Sequence, residues 1–152
     1  MILIGQYDSP FVRRVGIALT LYGLPFSHRP WSTFSDADKL RPYNPLTRVP
    51  TLVLDTGEAL IESHAILDYL DSLVPQERAL FPQTEPARRQ ERKVAALATG
   101  IGDTAGSLFY ERRIHKKASE TWVNRCHALL VAVVAVLESD RASRDKDFSF
   151  VD

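Results

Sequence analysis

Ser9 places a lone hydroxyl between the apolar stretch Ile2-Leu3-Ile4 and the run Pro10-Phe11-Val12, where a strand hands over to a helix. Such a junction can hold an anion, because the first N–H groups of a helix lack internal partners and the macrodipole is positive there. A ligand thiol beside Ser9 is biased toward its thiolate. Pro10 suits the first helical turn, where its missing N–H costs nothing. Two further pairs stand at element boundaries: Val49-Pro50 enters an apolar run, and Glu62-Ser63 precedes a helical pattern. Taken singly, Ser9 and Glu62-Ser63 read more readily as helix caps, and Val49-Pro50 as an ordinary trans entry to a strand.

The elements that must position these residues follow from periodicity. Residues 2–6 read as a buried strand, after which Val15, Ala18, Leu19 and Tyr22 repeat at helical spacing until Gly23 supplies a stop. Phe26 to Arg29 alternates as a short strand, and 30–44 reads as a loop with one short helix. The run Val49 to Leu54, the turn Asp55-Thr56-Gly57-Glu58 and the run Ala59-Leu60-Ile61 make a hairpin. Ser63 then caps a helix with Ile66, Leu67, Tyr69, Leu70 and Leu73 on its apolar side. The expected result is a small mixed sheet with helices packed on it, spanning residues 1–78.

Residues 79–86, with Pro82 and Pro86, read as a linker, and no strand pattern returns beyond them. One helix is expected over 87–114 with Leu97, Ile101, Ala105 and Leu108 on a face. Another is expected over 119–139 with Trp122, Cys126, Leu129, Val133 and Leu137. Gly100, Gly102 and Gly106 inside the first of these each cost about 1 kcal/mol relative to alanine. Close approach of another backbone or a ligand would offset that cost. The second is apolar on every side from Ala128 to Leu137 and wants a cover, although the charged stretch Ser143-Arg144-Asp145-Lys146-Asp147 soon follows.

Composition narrows the partners. In 152 residues, 19 basic and 19 acidic side chains balance, so no global field draws in nucleic acid or an anionic membrane. The lone Cys126 forms no internal disulfide and the start MILIGQYDSP lacks a secretory pattern, which points to a cytoplasmic address. The ten apolar residues Ala128–Leu137 fall short of a membrane span. His28, His64, His115 and His127 show no zinc spacing, so no metal is expected. The basic clusters at 88–93 and 112–117 read as exposed helical faces.

Ser9-Pro10-Phe11, Val49-Pro50 and Glu62-Ser63, in that order and followed by an all-helical segment, resemble the cytosolic glutathione S-transferases. The serine resembles the family's serine-type branch, which includes many bacterial members. The resemblance covers about residues 1–141 and implies an α/β thioredoxin-like N-terminal domain followed by an all-α C-terminal domain, 87–152. That second domain is expected to be incomplete: Phe148-Ser149-Phe150-Val151-Asp152 reaches only the approach to the family's central helix, the expected cover for 128–137.

The resemblance also implies partners and roles. Glutathione would be the co-substrate, a small electrophile the second substrate, and a homodimer the assembly, through the sheet edge and the 87–114 helix. Ser9 would hydrogen-bond the glutathione thiolate. Val49-Pro50, with a cis peptide, would pair with the tripeptide backbone, and Arg48 would assist its carboxylates. Glu62 would take the γ-glutamyl ammonium, Ser63 its carboxylate, and Lys39 or Arg41 the glycyl carboxylate. Phe11, Tyr110 and Arg113, near Trp31 and Phe34, would line the electrophile pocket. Thr99 stands where many relatives carry an acidic residue. Glutathione-dependent isomerases and dehalogenases share the fold, as would a binding or regulatory module without turnover.

Overall fold

The computed structural model describes residues 1–115 and 117–142, so the segments Ser143–Asp147 and Phe148–Asp152 discussed above lie outside the described residues. Strand β1 is Ile2–Ile4, followed by helix α1 (Pro10–Tyr22), β2 (Ser27–Arg29), the short α2 (Ala37–Leu40), β3 (Thr51–Val53), β4 (Ala59–Ile61) and α3 (Ser63–Ser72). After a 3₁₀ turn at Gln76–Arg78 come two long helices, α4 (Ala87–Ile114) and α5 (Glu120–Ala142). The chain divides into two units, Met1–Ala79 and Leu80 onward.

In the first unit the strands lie in the order β2-β1-β3-β4. β1 runs parallel to β2 and antiparallel to β3, and β4 returns antiparallel to β3 as a hairpin. Leu3 stands directly opposite Leu52, so both point to one face, while Ile4 and Val53 point to the other. On that second face Ile4, Leu40 of α2 and Val53 form a buried cluster that Trp31, Tyr43 and Val49 pack against. Each such fully buried aliphatic side chain stabilises the unit by about 1.5–3 kcal/mol.

Local chemistry sets both ends of α1. Ser9 is its N-cap and Pro10 its first residue; at the other end Gly23 adopts a left-handed φ of 68°. The Gly23 N–H donates to Thr20 O at 3.0 Å and the Leu24 N–H to Leu19 O at 2.9 Å, the two bonds of a Schellman motif. Strand β1 is shorter than the sequence pattern indicates, ending at Ile4, because Gly5 turns the chain away with a φ of 132°. The cap of α3 also differs from expectation: Glu62 is the N-cap, at a φ of 66°, and Ser63 is the first helical residue.

The second unit is built from α4 and α5, which pack on each other. Ser119 starts α5, taking the Val123 N–H on its carbonyl and the Trp122 N–H on Oγ. Cys126 is buried, with Val123, Leu130, Val133 and Leu137 half-covered, so the seam is offset from the Trp122/Leu129 face that spacing indicates. Trp122, Leu129, Val131, Val134 and Val136 are exposed. By length and composition the helix Glu120–Arg141, whose most apolar 18-residue stretch has a mean hydropathy of 1.3, reaches what a membrane crossing requires, beyond the ten-residue run considered above. The core helix of a soluble bundle satisfies the same criterion. A Cβ built on Gly100 or Gly106 meets nothing within 4 Å, so no other described part of this chain makes the close approach expected there.

Candidate functional site

Ser9 owes its position to the abrupt end of β1. A Cβ on Gly5 would lie 2.5 Å from Val12 Cγ2 and 2.8 Å from Val49 Cβ, so only glycine lets the strand, α1 and the Val49 loop converge. Four residues on, Ser9 Oγ accepts the Val12 N–H at 3.4 Å, a long cap bond. The hydroxyl is the acceptor in this contact, and its own proton is the part with which it can donate. Arg13, on the first turn of α1, donates from Nε to Tyr7 O at 3.1 Å and so ties the turn to the helix. Burial pulls the neighbouring Arg14 guanidinium below its usual pKa, so Arg14 is not part of a freely solvated face.

The Val49–Pro50 peptide is cis, as the resemblance implies. The loop that carries it is fixed by Asn44, a residue that sequence reasoning passed over. Asn44 is buried; its Nδ2 donates to Arg48 O at 2.9 Å and to Thr51 Oγ1 at 3.2 Å, while its Oδ1 accepts the Leu46 N–H at 3.0 Å. Thr51 Oγ1 in turn donates to Arg48 O at 3.1 Å. The Arg48 carbonyl is thereby held from two sides just ahead of Val49.

Glu62 sits at the start of α3 in a backbone region costly for a side-chain-bearing residue, about 1–3 kcal/mol. Its carboxylate meets Arg48 Nη1 at 3.3 Å. Ser63 is buried at the first turn of the same helix. Arg48, Val49, Pro50, Glu62 and Ser63 therefore belong to one neighbourhood joined by the Arg48–Glu62 ion pair. Lys39 is paired locally instead: its Nζ lies 2.7 Å from Asp36 Oδ1. That bond, with the Ser32 N–H, holds the Asp36 carboxyl below the usual carboxylate range. Arg41 is paired with Asp38 at 2.8 Å.

The aromatic candidates separate. Phe11 is half-buried on the first turn of α1. Trp31 packs against the Ile4/Leu40/Val53 cluster, with the Arg29 guanidinium 5.3 Å from its ring, so the sheet core claims it. Phe34 is 68% exposed. In the second unit Tyr110 is exposed on α4, edge-on to Phe109 at 5.5 Å, and Arg113 follows it on the same helix face. Thr99 bonds back to Ala95 O within its own helix at 2.8 Å. No group of three or more His, Cys, Asp or Glu side chains suited to a metal ion occurs among the described residues.

A strand-to-helix turn with an N-capping serine, a cis Val-Pro loop and an acidic helix start thus lie on one thioredoxin-like unit. Residues 3–78 match the glutathione S-transferase N-terminal domain. Over 103 residues the chain is 42% identical to the maleylacetoacetate isomerase of Pseudomonas aeruginosa, covering 64% of this chain and 48% of that protein. It is 35% identical over 103 residues to YibF of Escherichia coli K12, an uncharacterized GST-like protein, covering 68% of this chain and 50% of that one. The chain spans about half the length of these curated relatives. A glutathione S-transferase from Methylobacterium radiotolerans, solved in complex with glutathione sulfonate, superposes with a TM-score of 0.91 at 28% identity, over 99% of this chain and 73% of that one. On this fold and these matches, the chain belongs to the glutathione S-transferase family.

Proposed function

We propose that the first unit binds glutathione and that Ser9 activates its thiol for attack on a small electrophile. The observation that carries this reading is the placement of Ser9 as N-cap of α1, its Oγ accepting from Val12 N. A free thiol has a pKa of about 8.5 and is mostly protonated at neutral pH. A hydrogen bond to a charged acceptor contributes about 1.5–3 kcal/mol and the helix terminus about 0.3–1 kcal/mol. At 1.36 kcal/mol per unit, their sum lowers a thiol pKa by about two units. The thiol proton leaves to solvent, and the sulfur lone pair forms the new C–S bond. The leaving group departs with its bonding pair, or, in addition to an alkene, a proton returns to carbon. Serine keeps its own proton throughout.

In this reading Glu62 takes the tripeptide's ammonium, Ser63 and the start of α3 its γ-glutamyl carboxylate, and Val49 its backbone. Arg48 and Lys39 assist the carboxylates, while Phe11, Tyr110 and Arg113 serve the electrophile. The serine-type assignment, a homodimer and a cytoplasmic address belong to the same proposal. Capture on glutathione-agarose with turnover of chlorodinitrobenzene tests it. Ser9→Ala should lower kcat about 10- to 100-fold, the loss of one charge-assisted hydrogen bond, with little change in glutathione affinity. Full activity in that variant contradicts the role of Ser9.

The Pseudomonas relative's name favours a second reading, a glutathione-dependent isomerase. There the same thiolate adds to a conjugated cis alkene, the bond rotates, and elimination restores the thiol. A cis enedione substrate separates the two: release of the trans isomer with glutathione unconsumed marks the isomerase, and a stable thioether marks the transferase. Glutathione binding without turnover of either substrate class marks a binding module.

A further inference from the structure

The backbone ladder between β1 and β2 stops one bond short, and a side chain completes it. Ile4 pairs with Arg29, and the Gly5 N–H donates to Arg29 O at 2.9 Å, so Gly5 extends the parallel register by one residue. In a parallel ladder the Gly5 carbonyl would next accept from the N–H of residue 31. That N–H is turned away: around Pro30, Trp31 N donates back to Arg29 O at 2.8 Å. The Gly5 carbonyl, on a buried residue, needs another donor. His28 supplies it, with Nε2 at 2.7 Å from Gly5 O. A carbonyl only accepts, so the shared proton is on His28 Nε2.

The same imidazole is stacked on Tyr7, with ring centroids 4.2 Å apart and planes 29° from parallel. Tyr7 in turn lies over Gly16 of α1, where a Cβ would stand 2.8 Å from its ring. One ring therefore grips the turn at Gly5 and at Tyr7. The next contact along the chain, Ser9 N to Gln6 O at 3.2 Å, closes the turn onto the serine.

We propose that His28 is a positioning residue for the Ser9 hydroxyl: with Tyr7 it forms a clamp that fixes the Gly5–Ser9 turn so that Oγ is held where a bound thiolate meets it. This rests on the reading that Ser9 activates the thiol. A hydrogen bond from a hydroxyl to a charged sulfur depends steeply on distance and angle. Loss of the clamp therefore degrades ionisation before it degrades binding, which Glu62, Ser63 and Val49 provide from other loops.

The test is the pKa of protein-bound glutathione, read from thiolate ultraviolet absorbance across a pH titration of the full chain, with affinity from calorimetry. His28→Leu should raise that pKa by about one unit, from about 6.5 to about 7.5, a roughly threefold loss of thiolate at about pH 7, with affinity at about pH 5, where the bound thiol is protonated in both proteins, changed less than about twofold. His28→Gln, whose amide can donate to Gly5 O, should restore the native value. Gly16→Ala, a substitution that favours helix and whose Cβ meets the Tyr7 side chain first, keeps the proposal testable if His28→Leu does not fold; it should raise the pKa in the same direction. A native pKa in His28→Leu or, failing that variant, in Gly16→Ala overturns the clamp. So does a loss of affinity and thermal stability without a pKa change. Ser9→Ala tells the two readings apart. A raised pKa in Ser9→Ala beside a native one in His28→Leu sinks the clamp alone, whereas a native pKa in Ser9→Ala sinks both.

Discussion

Glu62 carries two properties that pull in opposite directions. Its φ of 66° is costly for any residue with a Cβ, and its carboxylate faces Arg48 at the mouth of α3. A residue retained there at a net cost is best explained by what its side chain binds. Glu62→Gly should raise stability toward denaturant by about 1 kcal/mol while weakening glutathione binding at least tenfold. Denaturant titration and calorimetry on the same preparation check both halves. This residue also marks a limit of sequence reading. The Glu-Ser pair is legible as a helix start, but which of the two is the cap depends on a backbone conformation that glutamate's own preference opposes. His28 was opaque for a related reason: a lone histidine in a polar stretch shows its partner only once β1 and β2 are laid side by side.

The boundaries of α1 were readable because Ser9-Pro10 and Gly23 act locally, through a cap, a fixed φ and a left-handed turn. The end of β1 was not, since Gly5 stops the strand through contacts with Val12 and Val49, remote in sequence. Asn44 shows the same gap in a polar key: apolar periodicity carries no trace of an amide that holds a loop together. Asn44→Ala removes three hydrogen bonds from a buried position and should cost about 2–4 kcal/mol of stability, measured by thermal unfolding, with a weaker grip on glutathione. The α4–α5 connection has its own control point. Glu111 accepts the Ser119 N–H at 2.8 Å and meets His115 Nδ1 at 2.7 Å, and these contacts hold its carboxyl below the usual carboxylate range. A depressed acid pKa contributes stability that is present above the ordinary carboxylate value and lost as pH falls through the depressed one. Acid should therefore loosen the start of α5 in the native protein, and do so less steeply in Glu111→Gln, as followed by amide exchange at 119–123.

Across the described residues, the fold was legible as a mixed sheet unit followed by helices, because strand alternation ceases after Ile61 and helical spacing dominates to about residue 139. What spacing left open was which faces are covered. α5 exposes Val131, Val134 and Val136, and a Cβ at Gly100 or Gly106 of α4 meets nothing within 4 Å among the described residues. In the proposed homodimer, contact through α4 would account for the glycines. Sedimentation should give a dimer, and Gly100→Leu/Gly106→Leu should shift it toward monomer without loss of helix content. A dimer unaffected by both leucines removes α4 from that interface.

A crystal structure with glutathione bound tests the central claim most directly. The expected result places the tripeptide's sulfur within hydrogen-bond distance of Ser9 Oγ, with Glu62 on its ammonium and Val49 alongside its backbone. Glutathione density with the sulfur turned away from Ser9, or none at a saturating concentration, contradicts the account.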